Sequence, residues 1–296
     1  MRRSIQHVFQ GEPLTEGAGV RLRRVFGYYE APMFDPFLLL DDFRSDTPED
    51  FVQGFPWHPH RGIETITYVL RGDVEHGDSL GNAGVISSGD VQWMTAGSGI
   101  VHQEMPKGDA QGSMHGFQLW ANLPAAQKMM DPRYRGVTAA EIPTVQLPDG
   151  VTAKVIAGTL QDVRSEVGSV SGPVRDVVIS PEYLDVSVPA EVVFEHSTVR
   201  GHTTFVYVIG GSGEVLGGDT GAPSVVVRDR MLVLFGDGDS FIVRASAEPL
   251  RFLLVSGAPL NEPVAWRGPI VMNTDDEIRL AFEEYRNGTF VKVGKP

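Results

Sequence analysis

Trp57-His58-Pro59-His60 sets two imidazoles at i and i+2, and Ile100-Val101-His102-Gln103-Glu104 sets an imidazole and a carboxylate at the same spacing. Residues two apart on an extended chain project to one face. Each pair on a strand therefore delivers two side chains in one direction. Two imidazoles this close serve no obvious packing purpose, whereas neutral imidazole and carboxylate are the donor set of a first-row divalent metal. Two such strands in one small barrel would aim His58, His60, His102 and Glu104 at a single ion and leave positions open for substrate and dioxygen. Glu64 is a rival for the carboxylate, because it lies at an even offset after His60. Spacing alone leaves both open. The matched pair on the second strand favours Glu104, and Gly62 permits a bend that turns Glu64 away.

The remaining histidines, His7, His76, His115, His196 and His202, are isolated and read as core or surface residues. Phe55, Trp57, Trp93, Met94 and Phe117 flank the motifs. Each reads first as barrel core and second as the wall of an aromatic pocket. Arg61 either adds to the field beside the ligands or faces solvent.

The elements that must hold these residues are short. The 296-residue chain carries 34 glycines and 20 prolines, with apolar runs cut by turn residues, which favours an all-β protein. ETITYVLRGDVEHGDS reads as strand, turn at Arg71-Gly72-Asp73, strand; GVISSGDVQWMTAGSGIVHQEM reads as three strands around a Gly89-Asp90 turn and a glycine-rich corner. AAQKMMDPRYRG breaks the rhythm as a short helix or linker. The second half repeats the plan: TYVLRGDVEH is echoed by VYVIGGSGEV, and ISSGDVQWM by LFGDGDSFI, which suggests a duplicated β domain. In EIRLAFEEYRNGTF the residues Ile278, Leu280, Ala281, Phe282 and Tyr285 give a helical spacing, and Asn287-Gly288 a stop. Domains are expected at 1–135, metal-binding, and 136–296, ending in this helix.

A formal net charge of −13 disfavours nucleic acid and anionic membrane surfaces as partners. With no cysteine, disulfides, thiolate nucleophiles and iron–sulfur clusters are excluded, and any metal rests on His, Asp or Glu. The opening MRRSIQHVFQGEP carries no apolar run, so a cytoplasmic protein is the expectation.

The segment FPWHPHRGIETITYVLRGDVEHGDSLGNAGVISSGDVQWMTAGSGIVHQEMP resembles the signature region of the pirin family, and GFQLWANLP and NEPVAWRGPIVMNTDDEIRLAFEEYRNGTF resemble further pirin segments. The resemblance implies a bicupin, two antiparallel β-barrels facing each other with a C-terminal helical segment. It implies iron in the N-terminal barrel, held at the positions His58, His60, His102 and Glu104; imidazole and carboxylate also accept manganese, nickel, cobalt and copper. It implies a quercetin 2,3-dioxygenase activity, in which a flavonol binds the metal through adjacent oxygens, Glu104 takes its proton as general base, and the ring opens with loss of carbon monoxide. The mammalian member of the family is a nuclear iron-dependent co-regulator. The alternative reading is therefore a non-catalytic, metal-dependent binding module with a protein partner; a third is a non-oxidative cupin such as an isomerase.

The second half departs from the metal pattern. VRGHTTFVYVIGGSGEV has His202 but no His-x-His, and His196 lies six residues before it. A complete second site is not expected, and the C-terminal barrel is assigned a structural role. A two-barrel chain supplies its own barrel partner, so a monomer is expected.

Overall fold

A computed structural model describes residues 1–161, 168–218 and 223–293. Through residue 139 the strands are β1 (Ile5–Phe9), β2 (Glu12–Glu16), β3 (Val20–Phe26), β4 (Phe37–Ser45), β5 (Phe55–His60), β6 (Ile63–Arg71), β7 (Val74–Asp78), β8 (Ala83–Ile86), β9 (Val91–Thr95), β10 (Ile100–Pro106), β11 (Met114–Asn122) and β12 (Arg133–Val137). A one-turn helix α1 (Ala31–Phe34) precedes β4. Beyond residue 139 follow β13 (Thr144–Gln146), β14 (Thr152–Ala157), β15 (Thr159–Gln161), β16 (Ser169–Ser171), β17 (Glu182–Val188), β18 (Val193–Ser197), β19 (Thr203–Gly210), β20 (Ser212–Leu216), β21 (Val225–Arg228), β22 (Leu232–Phe235), β23 (Ser240–Ala245), β24 (Leu250–Gly257), β25 (Ala265–Arg267), β26 (Ile270–Met272) and helix α2 (Asp275–Arg286). The all-β expectation holds, down to the turns at 71–73 and 89–90. The irregular stretch after Pro124 is a single 3-10 turn, Ala125–Gln127, and then β12.

The chain forms two compact units, residues 12–139 with 260–296, and residues 1–11 with 140–259. The first holds a seven-stranded sheet β12-β9-β6-β11-β4-β3-β2 and a four-stranded sheet β5-β10-β7-β8. The second holds β1-β22-β19-β24-β17-β14-β13 and β18-β23-β20-β21. The two orders match strand for strand, which is the structural content of the repeat read from VYVIGGSGEV. The division at 139/140 falls four residues past the expected one, and both chain ends belong to the other unit. β1 pairs with β22, and α2 packs Ile278 and Ala281 on Ile270, Met272 and Phe290 beside Val101. The helix therefore closes the unit that carries the histidines, not the C-terminal one.

Alternation explains the site strand. In β10 the burial runs buried, half-buried, buried throughout, so Ile100, His102, Glu104 and Pro106 share the inner face. β6 lies inside its sheet and is buried from Ile63 to Val69 on both faces. Gly62, between β5 and β6, has φ +77°, and a Cβ there would stand 1.9 Å from the Val271 carbonyl oxygen, so only glycine fits. Helix α2 starts on a capping box in which Thr274 and Glu277 satisfy each other's backbone amides. Leu280 and Tyr285, expected on the packed face, are 53% and 41% exposed; Ile278 and Ala281 carry the contact. No helix among the described residues is long and apolar enough to cross a membrane.

Candidate metal centre

β5 and β10 are antiparallel neighbours, with His58 directly across from His102. A bulge follows, since Glu104 pairs with Phe55, and Pro56-Trp57 supply the extra residue on β5. His58, His60 and His102 each offer a ring nitrogen, and the three nitrogens lie within 4.8 Å of one another.

The outer nitrogens are committed. His58 Nδ1 lies 2.9 Å from the Pro56 carbonyl oxygen and His60 Nδ1 lies 3.0 Å from that of Pro269. A carbonyl can only accept, so each Nδ1 carries the proton and each Nε2 is left with a lone pair. Those two Nε2 atoms are 3.1 Å apart. Two acceptors at that distance repel unless a cation lies between them. Protonation is disfavoured: burial lowers the pKa of His58, and lowers those of His60 and His102 well below the usual 6.5, with imidazole neighbours adding to the effect on the latter two. His102 Nε2 is buried without a hydrogen-bond partner among the described residues. The donor set thus fits a divalent transition metal, with metal–nitrogen distances of about 2 Å putting neighbouring donors roughly 3 Å apart.

Glu104 stands on the same face of β10 but outside the three-nitrogen group. Thr67 Oγ1 donates to its Oε1 at 2.7 Å and Gln118 Nε2 donates to its Oε2 at 2.8 Å. Burial raises its pKa, and these two donors pull it partly back. Glu64 is on the opposite face of β6 from Thr67, three residues away, where it accepts from Thr95 at 2.6 Å. The rival carboxylate therefore points away from Glu104 and its donors.

A cavity of about 580 Å³ opens beside the histidines, inside the range of small-molecule sites. His58, His60, Glu104 and Gln118 line it together with the rings of Tyr28, Phe43, Phe55, Trp120 and Trp266. Of the aromatic residues flanking the motifs, only Phe55 is on this wall. Trp57 is 53% exposed, and Trp93, Met94 and Phe117 are buried core. Trp120, whose ring lies 5.0 Å from that of His60 at 86°, sits in GFQLWANLP, and Trp266 in the C-terminal segment. The alternation of β11, with Gln118 and Trp120 two apart, was the available signal. Trp266 had none, because its strand reaches the site only through tertiary structure.

Arg61 neither lines the cavity nor meets solvent. It is 1% exposed, ion-pairs with Glu284 at 2.7 Å, donates to the Phe290 carbonyl at 3.0 Å, and lies 4.2 Å above the Phe290 ring. Lys128, also 1% exposed, donates to Gly62 O, Asn122 Oδ1 and Val271 O at 2.9, 2.7 and 3.0 Å. Burial draws its pKa down to about 8. Both cations tie the turn after His60 to the C-terminal segment.

Two family models match: Pirin over residues 19–121 and the Pirin C-terminal cupin domain over residues 183–291. A pirin-like protein of Caulobacter vibrioides is 43% identical over 97% of this chain and 99% of its own length. A Pseudomonas aeruginosa protein provisionally named a quercetin 2,3-dioxygenase is 41% identical over 97% of each chain. The crystal structure of a quercetin 2,3-dioxygenase from Acinetobacter baumannii superimposes with a TM-score of 0.85 at 32% identity, covering 98% of this chain and 99% of that one. With both cupin domains matched and the likeness running end to end, this chain belongs to the pirin family.

Proposed function

We propose that this protein is a metal-dependent dioxygenase of the quercetin 2,3-dioxygenase type, with one iron(II) held by His58, His60, His102 and Glu104. The observation that carries the reading is the pair of Nε2 lone pairs 3.1 Å apart beside an aromatic-walled cavity. The names of the Pseudomonas and Acinetobacter relatives support flavonol and dioxygen as reactants. When bound, the metal supplies Lewis acidity that lowers the pKa of a flavonol hydroxyl, and redox contact with dioxygen.

The chain's own residues do the rest. Three imidazoles stay neutral because burial opposes their protonation, so they remain donors at the pH of the cell. Tyr28, Phe55, Trp120 and Trp266 offer flat apolar surface to a polyphenol ring system and exclude water from it. Glu104 accepts the hydroxyl proton: burial makes its carboxylate more basic, while Thr67 and Gln118 fix both oxygens. Oxygen uptake and carbon monoxide release with quercetin, compared between wild type and Glu104→Gln, test the assignment. A loss of at least tenfold in kcat with Glu104→Gln is expected; equal rates would remove Glu104 from the chemistry.

The second reading is a metal-dependent binding module. It would gain if the iron-loaded protein consumed no oxygen with any flavonol yet bound a protein partner only when metal was present.

A further inference from the structure

One row of the seven-stranded sheet in the histidine-bearing unit is polar from strand to strand. Gln92 on β9 pairs with Thr67 on β6, Thr67 with Gln118 on β11, Gln118 with Asp41 on β4, and Asp41 with Arg24 on β3. Residues paired across a sheet project to the same face, so the five side chains stand in one line. The rows that flank Gln118 and Asp41 are apolar, with Trp120 and Leu39 on one side and Gly116 and Phe43 on the other. Polar groups inside an apolar barrel cost free energy unless each finds a partner. Thr67 and Gln118 find theirs in Glu104, at the metal end.

Arg24 closes the other end. Its Nε donates to Asp41 Oδ1 at 2.9 Å and its Nη2 to Asp41 Oδ2 at 2.8 Å, while Nη1 donates to Glu16 Oε1 at 3.1 Å. The two-armed bond to a buried carboxylate fixes the plane of the guanidinium. A guanidinium carries five N–H donors, so one remains on Nη1 and one on Nη2. Nothing among the described residues takes them, and nothing there donates to Glu16 Oε2. Arg24, Asp41 and Glu16 all line the cavity of the metal centre. With neighbouring strands roughly 5 Å apart, the backbone of Arg24 stands about 10 Å from that of Gln118. The other acid, imidazole and amide side chains on the wall, His58, His60, Glu104 and Gln118, belong to the metal end. The cavity thus has two polar regions and aromatic walls.

Arg24 and Glu16 offer a donor and an acceptor side by side. A group that satisfies both must accept one hydrogen bond and donate another from neighbouring atoms. Two vicinal hydroxyls do this: one gives its proton to Glu16 Oε2, and the other accepts from Arg24 Nη1. A carboxylated ligand would meet two carboxylates against one guanidinium. On quercetin the vicinal hydroxyls are those of the pendant catechol ring, away from the oxygens that reach the metal. The fused ring carries its hydroxyls only in 1,3 relation.

We infer that Arg24 and Glu16 form a catechol subsite, which selects among flavonols those with vicinal hydroxyls on the pendant ring. This rests on the flavonol reading of the site, and adds to it the residues that hold the end of the substrate remote from the metal.

The test is an anaerobic calorimetric titration of iron(II)-loaded protein, in which no turnover occurs. The ligands are quercetin and galangin, the flavonol whose pendant ring has no hydroxyl. Glu16→Ala removes the acceptor and leaves the Arg24–Asp41 pair in place; the Glu16 side chain is 41% exposed, so the fold tolerates its loss. Wild type should bind quercetin about tenfold tighter than galangin, the size expected for a hydrogen bond to a charged group. Glu16→Ala should weaken quercetin binding about tenfold and leave galangin unchanged. Equal affinity for the two flavonols in wild type, or an equal change for both in Glu16→Ala, would overturn the subsite. The dioxygenase reading fails separately: quercetin bound with this selectivity but not consumed when air is admitted would remove the reaction and leave the subsite standing. Binding of neither flavonol would remove both.

Discussion

His60 donates its Nδ1 proton to the carbonyl of Pro269 at 3.0 Å, across 209 residues of chain. That contact decides which ring nitrogen faces the histidine cluster. The two backbone stretches it joins are clamped together by Lys128, whose ammonium takes one carbonyl from each, Gly62 and Val271. Replacing Lys128 with Met takes the ammonium from three buried acceptors, of which the Gly62 carbonyl keeps only the Leu123 amide at 3.4 Å. A loss of about 2–4 kcal/mol in folding stability is expected, with metal affinity weakened roughly tenfold. Urea unfolding and a metal titration read the two effects. Unchanged affinity in a folded Lys128→Met protein would show that the clamp does not position His60.

Arg61 performs a related task from the other side of the turn. Truncation to Met breaks its ion pair with Glu284, its bond to Phe290 and the cation–π contact. Glu284 keeps Lys292 at 2.6 Å and is itself 19% exposed, so the cost should sit near the lower end for a buried pair, about 3 kcal/mol. Arg61→Lys keeps the charge but not the planar group that reaches Phe290 O, and should recover only part of it. Thermal unfolding of both variants measures this.

The buried imidazoles make the metal-free protein sensitive to acid. Their folded pKa values lie below the usual 6.5, so as pH falls through 6.5 the unfolded chain takes up protons before the folded one does. Stability is therefore fully present above pH 6.5 and declines below it. Glu104 acts in the opposite sense, because a carboxyl raised above 4.5 by burial favours the folded state as pH falls. The informative quantity is the difference between wild type and His102→Phe, which replaces one buried imidazole with a ring that does not titrate. Below pH 6.5 wild type should lose stability more steeply than His102→Phe in urea unfolding; parallel curves would contradict the burial argument.

The histidine cluster was legible because strand periodicity fixes direction: His58 with His60, and His102 with Glu104, needed only extended chain to project together, whereas the place of Glu104 outside the group of three ring nitrogens was not. The duplicated plan was legible in turn spacing. What was not legible came from tertiary structure. The assignment of α2 to the first unit follows from contacts of Ile278 and Ala281 with β26, which no local pattern encodes. Trp266 and Pro269 reach the cavity from the far end of the sequence. Arg61 beside the motif looked like a functional cation, but its partner Glu284 is 223 residues away. The structural role expected for the C-terminal barrel rested on its missing His-x-His; in the structure Phe194, Phe235, Phe241, Val243 and Phe252 of that barrel belong to one packed apolar cluster.

The central claim is that three imidazoles converge on one ion. Anaerobic titration of chelator-treated protein with iron(II), read by elemental analysis after gel filtration, tests it most directly. Wild type should retain one ion per chain, and His60→Ala and His102→Ala should each retain almost none while staying folded by circular dichroism. One ion per chain in a folded protein lacking all three imidazoles, His58, His60 and His102, would contradict the account.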